Sequence, residues 1–441
     1  MTYTAPAVVI DNGSYTTKAG FALDDLPNLV FPSVYIQDSS SNKAIVGTDR
    51  ELAHYLQYQT NTLIENGLIY DFENIVHNWQ YVFDNVDNHN AVDLKEFPLV
   101  MTEQSWNTTK NKVKTSEIVF EQFEVPLFSL VKNPISQLYR CGKSTGLVID
   151  IGAGVTSVTP ILDGVIQNKC SFHSKYAGDW VNLHVMEYLR GKVDTVDELL
   201  PLAYRSNTQA TESFRQYYMS THILQEFKNL SLNHNVSNYQ IYNHKYINVS
   251  DKRNFLENLF DPTMNKLPNI TIPEPNIDKP STHGLTNLVF LAIKSLEATL
   301  LPQSESNGAT ATGPGSQNRF ARFMEIFKLL LSNVLITGGT SLADGLSDHI
   351  ISDLRALMQQ YFPNYPLAYN VQQIRINSGN SDNADTWDKQ FGSWLGACNL
   401  AQMLNDSAEN SSSAKIALDN WFVTKADYEE LGEDLIVEKF K

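Results

Sequence analysis

One short pattern occurs twice in this chain, at positions far apart in the sequence. The pattern reads Val-Ile-Asp-x-Gly-small-x-x-Thr, and it begins at Val9 and again at Val148. In each copy a β-branched run predicts a strand that ends near an aspartate, Asp11 or Asp150, and a turn of small residues follows. Repeats in solenoid proteins are much shorter than this spacing. A single repeat on the scale of a domain instead predicts two duplicated domains that face each other.

The rest of the chain alternates between predicted strands and predicted helices. Residues 97–101 and 125–130 have the length and composition of buried strands, and helical spacing of apolar residues follows each of them. This alternation is typical of α/β proteins. With 441 residues, the chain is longer than a single hydrophobic core usually serves, which also favours two domains.

The net charge of the chain argues against direct binding of nucleic acid. The chain has 33 Lys and Arg residues against 49 Asp and Glu residues, and its formal net charge is −16. A surface that acidic repels phosphate backbones. We therefore expect no direct binding of nucleic acid, and any action on DNA would need a partner that makes the contact.

Cysteine content and hydropathy indicate a reducing compartment. Only three cysteines occur, and they are scattered, which is too few for a disulfide framework. The first residues show no secretory signal, and no apolar run approaches the roughly 18 residues of a membrane span. We therefore expect an intracellular protein without a membrane partner.

The two hairpin turns have the composition of phosphate-binding loops. Small residues let several backbone N–H groups point into one concavity. The carboxylates of Asp11 and Asp150 would lie beside it, where they could hold a hydrated Mg²⁺, which prefers oxygen ligands. Lys18 follows the first turn and is expected to point its ammonium group at a phosphate. The other candidate phosphate-binding residues of the two turns are Gly13, Ser14, Tyr15, Gly152, Ala153, Gly154 and Val155.

A third glycine-rich turn supports the same interpretation. Gly338, Gly339 and Thr340 lie between a predicted buried strand and a predicted helix, where backbone N–H groups could support a phosphate or a base. Each turn by itself has an ordinary explanation, because aspartate and glycine begin many turns that bind nothing. Three such turns in one chain, with Lys18 beside the first, favour a phosphate site.

These segments resemble those of the actin family, and more specifically of actin-related proteins. The similarity is carried by Asp11–Phe21, by Gly142–Thr156 around the second turn, by Asn333–Thr340 around the third, and by Gly392–Ala397 near the C-terminus. It extends over nearly the whole chain and is weakest in the middle.

The resemblance implies an actin-like ATPase fold, with two duplicated α/β domains flanking a nucleotide cleft and a smaller subdomain appended to each. Residues 1–141 and 365–441 would form the first domain, with its small subdomain near 33–70. Residues 142–364 would form the second, with a divergent subdomain near 180–265.

Two polar segments are expected at the surface. Residues 302–319 are polar and have no apolar anchor, which predicts a disordered insertion in the second domain. Residues 34–45 stand where actins carry a long loop that docks onto the next subunit of a filament, and here they are short and polar. Surface loops tolerate drift, but together with the insertion this loop leads us to expect no homopolymer.

Three residues depart from the pattern with which the family hydrolyses ATP. The resemblance implies an aspartate at Ala153, a histidine at Ser157 and a glutamine at Asn133, groups that organise the metal and orient the attacking water. Positioning and electrostatics carry most of the catalysis in phosphoryl transfer, and loss of one positioning donor typically costs about two to three orders of magnitude. We therefore expect no catalytic residue and negligible hydrolysis.

Nucleotide binding is a separate question, since Asp11, Lys18 and Asp150 are retained. Ala343 stands where the family often has an aromatic residue beside the base, and Gln390 stands where a lysine usually lies. The expectation is ATP with Mg²⁺, bound weakly and not hydrolysed. The alternative is a cleft kept only for folding.

Two stretches of the second repeat indicate a more specific relationship. Asp-Ile-Gly-Ala at 150–153 and Thr-Pro-Ile-x-Asp-Gly at 159–164 resemble actin-related subunits of the yeast SWI/SNF and RSC chromatin-remodeling complexes. The resemblance implies a nuclear, non-filament scaffold that takes part in transcription regulation. Its implied partners are a second actin-related protein in a heterodimer, a helical segment of the remodeler ATPase motor, and a small accessory subunit.

Two other functions stay open at this point. One is an active actin-fold ATPase, a class related to sugar kinases and heat-shock chaperones, and the residues at Ala153 and Ser157 argue against it. The other is a polymer-forming cytoskeletal actin-related protein, against which the short segment 34–45 argues.

Overall fold

The computed structural model describes residues 5–38, 43–87, 90–233, 237–241, 245–249, 254–301, 314–363, 370–374, 384–405 and 412–441. Strands and helices alternate along these ranges, as predicted. Within them, no helix combines the length and the apolar character that crossing a membrane requires.

The strands of the described residues form two large sheets and three small ones. In chain order they are β1 (Val8–Asn12), β2 (Thr16–Phe21), β3 (Leu29–Pro32), β4 (Val34–Asp38), β5 (Lys43–Ile45), β6 (Gln59–Thr62), β7 (Ile64–Glu65), β8 (Leu68–Ile69), β9 (Leu99–Glu103), β10 (Leu127–Lys132), β11 (Gly146–Ile151), β12 (Thr156–Leu162), β13 (Val165–Ile166), β14 (Phe172–Ser174), β15 (Asn238–Gln240), β16 (Tyr246–Asn248), β17 (Val334–Thr337) and β18 (Val423–Thr424).

Helices cover the sheets and connect their strands. In chain order they are α1 (Asp49–Leu52), α2 (Ile75–Asn85), α3 (Thr109–Glu117), α4 (Asn133–Arg140), α5 (Gly178–Arg190), α6 (Leu202–Arg205), α7 (Glu212–Tyr218), α8 (Leu224–Asn233), α9 (Glu257–Phe260), α10 (Leu285–Leu300), α11 (Pro314–Leu331), α12 (Leu346–Tyr361), α13 (Ala384–Gln402), α14 (Ser412–Trp421), α15 (Lys425–Leu431) and α16 (Glu433–Lys439). One turn of π-helix, Met219–Ile223, joins α7 to α8.

The first large sheet has six strands in the order β18-β10-β9-β1-β2-β3. Its centre is an antiparallel hairpin of β1 and β2, and β9 runs parallel to β1 on the other side. Successive side chains of a strand point to opposite faces. Val8 and Ile10 therefore join one core cluster with Trp79, whereas Val9 joins a second cluster with Trp394. Both faces of this sheet are covered.

The second large sheet repeats this arrangement. Its strand order is β13-β12-β11-β17, with β14 paired to β12. β11 and β12 form an antiparallel hairpin, and β17 runs parallel to β11 on the other side. The structure thus confirms the duplicated α/β fold that the repeated pattern predicted.

Helices α4 and α13 pack against each other, and each contacts strands of both large sheets. The contact is made possible by Gly396, since a Cβ there would lie 2.0 Å from the carbonyl oxygen of Ser136. Trp394, also on α13, is fully buried and donates its indole N–H to the carbonyl oxygen of Val9 over 3.1 Å. This helix pair therefore connects the two halves of the molecule by backbone contact.

The two polar segments lie partly outside the described residues. Of the predicted insertion, residues 302–313 are outside, but residues 314–319 belong to α11, so its predicted C-terminal end is wrong. The physical reason is that α11 is anchored by buried Phe323 and Phe327 and extends back to a proline, which is favoured at the first helical position. The other segment is a hairpin of β4 and β5, whose connection at 39–42 is also outside the described residues.

Candidate functional site

The first hairpin brings Asp11 and Lys18 together as cross-strand neighbours. Lys18 Nζ lies 2.9 Å from Asp11 Oδ2, and Thr102 on β9 donates its hydroxyl to Asp11 Oδ1 over 2.6 Å. The side chains of Lys18 and Asp11 are only 12% and 7% exposed. The first turn is therefore flanked by a buried ion pair, with Asp11 before the turn and Lys18 after it.

The second hairpin places Ser157, not a lysine, opposite Asp150. The hydrogen bond to this carboxylate comes from α4, since Gln137 Nε2 donates to Asp150 Oδ2 over 2.8 Å and also reaches Ser393 Oγ. Burial raises the pKa of the Asp150 carboxyl; the Gln137 hydrogen bond opposes this shift, and the charge on Asp11 adds to it. The two strand-end carboxylates are thus close enough to influence each other.

The third turn packs against the second and is hydrogen-bonded to it. Gly338 has φ of +90° and a Cβ on it would lie 2.4 Å from Asp150 Oδ1, so only glycine fits there. Thr340 donates its hydroxyl to the carbonyl oxygen of Gly152 over 2.8 Å. A short 3₁₀ segment, Gly339–Leu342, separates this turn from α12. The turn is therefore not the N-terminus of the long helix that follows.

All three turns face one cavity of about 730 Å³ between the two large sheets. Every residue predicted from the sequence as a metal or phosphate ligand lines it: Asp11, Gly13, Ser14, Tyr15, Lys18, Asp150, Gly152, Ala153, Gly154, Val155, Gly338, Gly339 and Thr340. This volume lies within the range of roughly 300–1,000 Å³ that small-molecule and cofactor sites occupy.

Several cavity residues were missed by sequence reasoning. Gln225, Lys228 and Asn229 on α8 line the cavity, as does Gln137 on α4. Burial lowers the pKa of Lys228 to about 8, partly offset by the charge on Asp179. These residues belong to no short motif. Their spacing in the sequence shows at most that they share one face of a helix. Whether that face lines the cavity depends on tertiary packing.

The residues that depart from the hydrolytic pattern, Ala153, Ser157 and Asn133, line the same cavity. Asn133 is 6% exposed, and its Oδ1 has no hydrogen-bond partner among the described residues. Ala343 and Gln390 also line it, and so does Lys389. A lysine is therefore present at this edge of the cavity, one position before Gln390.

The donor set fits a magnesium-bound nucleotide phosphate. The residues described by the structure contain no group of three or more His, Cys, Asp or Glu side chains that could hold a metal ion by themselves. Two carboxylates, Asp11 and Asp150, are a set that Mg²⁺ commonly uses, because it keeps most of its waters and takes further oxygens from phosphates. Lys18 and Lys228 supply positive charge on two sides of the cavity.

Two facing hairpins, each with a strand-end aspartate, around a cavity between duplicated sheets define the actin-like class of nucleotide-cleft proteins. The chain belongs to the actin family, since the family model named Actin matches residues 2–441.

Relatives align over nearly the whole chain. Actin-related protein 4 of Yarrowia lipolytica is 26% identical and covers 100% of this chain and 99% of its own length. Actin-related protein 7 of Saccharomyces cerevisiae is 26% identical, with 98% of each chain covered. A protein of Schizosaccharomyces pombe, named SWI/SNF and RSC complexes subunit arp42, is 27% identical, again with 98% of each chain covered. The chain is similar to these actin-related proteins.

Proposed function

We propose that this protein is a non-catalytic, non-filament actin-related scaffold subunit of a nuclear chromatin-remodeling complex. The observation that carries the proposal is its similarity, over 98% of both chains, to a protein named as a subunit of SWI/SNF and RSC complexes. Both chains are aligned over the region that the actin-family model covers in this one, so we propose that any shared function resides in the actin fold.

Within such a complex, the proposed partners are a second actin-related protein in a heterodimer, a helical segment of the remodeler ATPase motor, and a small accessory subunit. The net charge of −16 supports a basic helical segment as a ligand, because complementary charge speeds association and selects the partner. The same charge disfavours direct contact with DNA, which would then be made by the motor.

The non-filament part of the proposal is supported by the small sheet. β4 and β5 are joined by only the residues 39–42, which leaves little chain for a loop that would reach a neighbouring subunit. Pelleting of the pure protein in Mg·ATP would contradict this part of the proposal.

The cleft is proposed to hold ATP with Mg²⁺ weakly. Bound there, the ion would neutralise phosphate charge. Asp11 and Asp150 would hold its water shell, while Lys18 and the backbone N–H groups of the first two turns would position the phosphates. Ala153 and Ser157 offer neither a carboxylate nor an imidazole to orient a water molecule, so binding would not lead to hydrolysis.

The function is tested by purifying the tagged full-length chain from nuclear extract and identifying its partners by mass spectrometry. We expect a remodeler motor and a second actin-related protein in stoichiometric amounts. Recovery of neither would overturn the proposed function and would leave the family membership untouched. The tag alone, expressed from the same promoter, is the control.

A second measurement tests the absence of catalysis. ATP turnover by the purified chain is expected to equal that of an Asp11→Ala variant, because both lack groups that activate water. A variant with Ala153→Asp and Ser157→His should turn ATP over about tenfold faster or more, since positioning donors typically contribute at least that much. Turnover by the unaltered chain well above the Asp11→Ala variant would refute the proposal.

A further inference from the structure

The two halves of the molecule also touch at a second place, which includes the cavity residue Tyr15 and does not involve α4 or α13. Here residues 49–60, which flank the small sheet of β4, β5 and β6, meet residues 211–222 of α7 and the π-helical turn. We call this contact the rim interface. It includes one residue of the first phosphate loop, Tyr15, whose hydroxyl donates to the carbonyl oxygen of Thr221 over 2.9 Å.

Hydrogen bonds that involve backbone groups cross the rim interface in both directions. The N–H of Thr211 donates to the carbonyl oxygen of Leu56 over 3.0 Å, and its hydroxyl donates to that of Tyr58 over 2.9 Å. The N–H of Thr60 donates to Ser213 Oγ over 3.0 Å. Two backbone amides of the described residues, at positions 60 and 211, are therefore protected only while the rim interface is closed.

A tyrosine and a carboxylate complete the contact. The hydroxyl of Tyr217 donates to Asp49 Oδ1, and His222 Nε2 lies 4.0 Å from Asp49 Oδ2. The ring of Tyr217 also packs against the apolar cluster of the small sheet, which contains Ile36 and Leu52. The rim interface thus combines hydrogen bonds with apolar burial and has to separate as a unit when the cleft opens.

Tyr15 is the link between this interface and the phosphate site. Its backbone belongs to the first turn and lines the cavity, while its side chain spans the gap to the opposite half. Burial raises the pKa of Tyr15 to about 12, and the charge on Asp49 acts in the same direction. The hydroxyl therefore stays protonated, and able to donate, throughout the physiological range.

We infer that the rim interface is a lock on the cleft, and that Tyr15 sets the rate at which a phosphate ligand such as Mg·ATP enters and leaves. The inference rests on the proposed nucleotide site and is independent of membership in a remodeling complex. Opening requires the Tyr15 bond to break together with the bonds of Thr60 and Thr211. Loss of the hydroxyl should raise the opened fraction without altering the phosphate-binding groups.

The test compares the full-length chain with a Tyr15→Phe variant. By hydrogen exchange without nucleotide, the amides of Thr60 and Thr211 should exchange roughly two- to tenfold faster in the variant, the effect of one net hydrogen bond. Association and dissociation of a fluorescent Mg·ATP analogue, measured by stopped flow, should accelerate by a similar factor, and the dissociation constant should change little.

Two further variants are measured in the same experiment. Tyr35→Phe is the matched control, because the hydroxyl of Tyr35 bonds to Asp71 within the same half of the molecule, and both rates should stay at their original values. Ser213→Ala removes an acceptor of the rim interface without touching the phosphate loop, and it should speed exchange at Thr211 and release of the analogue.

If the amides of Thr60 and Thr211 exchange at the same rate in the Tyr15→Phe variant as in the unaltered chain, the inference that the rim interface is a lock is wrong. Faster exchange with unchanged nucleotide rates, or with no binding of the analogue by either chain, would overturn the link between the lock and the ligand. Neither result bears on recovery of a remodeler motor from nuclear extract, so failure of this inference and failure of the proposed function are distinguishable.

Discussion

Replacing Gly396 by alanine is expected to cost about 3 kcal/mol or more of the free energy of unfolding, and it can prevent folding altogether. The added methyl carbon would lie 2.0 Å from the carbonyl oxygen of Ser136, inside any allowed contact distance. Because that oxygen belongs to the backbone of α4, no side-chain rotation can relieve the clash, and α4 and α13 must move apart. Urea unfolding followed by circular dichroism measures the loss.

Gly191→Ala is the matched control for this substitution. Gly191 follows α5 with φ of −72°, and a Cβ there would meet its nearest neighbour, the carbonyl oxygen of Tyr188, at 3.5 Å. Such a position accepts alanine without strain, and the substitution is expected to be neutral or slightly stabilising. Equal unfolding midpoints for the two variants would show that the helix crossing is not the close contact described above.

Replacing Lys18 by methionine is expected to lower the free energy of unfolding by about 3–5 kcal/mol. The substitution leaves the Asp11 carboxylate buried, with Thr102 as its remaining described donor, and an uncompensated buried charge carries a cost of that size. We also expect Mg·ATP to lose any stabilising effect on the variant in a thermal shift assay, because the ammonium group beside the first phosphate loop is gone.

A double-mutant cycle separates the ion pair from the loss of one side chain. Asp11→Asn combined with Lys18→Met should cost clearly less than the sum of the two single substitutions, because neither charge is then left without its partner. Lys175→Met is the control, since Lys175 is exposed, and it should change stability by less than about 0.5 kcal/mol. Additive single effects would contradict a coupled, buried pair.

The sequence predicted the parts of the cleft that depend on local geometry. A repeated strand, turn and strand predicted both hairpins, and the structure has both of them. The pairing of Asp11 with Lys18 was not predicted, because it depends on a connection of four residues, 13–16, between the paired positions Asn12 and Thr17. Ala153 was predicted as part of the second turn, whereas Ser157 was singled out by the family resemblance, and both line the cavity. Local sequence patterns were therefore sufficient for the turns themselves and not for every residue that surrounds them.

The remaining cavity residues depend on packing between distant segments. Gln137 reaches Asp150 because α4 lies against both sheets, and no local pattern encodes that placement. Lys228 lies on α8, in the part of the chain where the family resemblance is weakest. The predicted insertion extends into the start of α11 because composition describes those residues as polar, while the helix is held by the apolar residues further along. Domain boundaries and nucleotide contacts stay predictions.

The two hairpins also differ in the charge that faces the strand-end aspartate. In the first, the charges of Asp11 and Lys18 cancel across the strand pair. In the second, Asp150 faces Ser157 and receives only a neutral donor from Gln137. Among the residues that the structure describes, the second hairpin therefore has no ion pair of its own, although the two copies share one backbone design, and burial raises the pKa of the Asp150 carboxyl. A cation bound beside Asp150 would favour the ionised carboxylate and oppose that shift. The second copy of the hairpin, unlike the first, thus keeps a carboxylate whose charge depends on what the cleft binds.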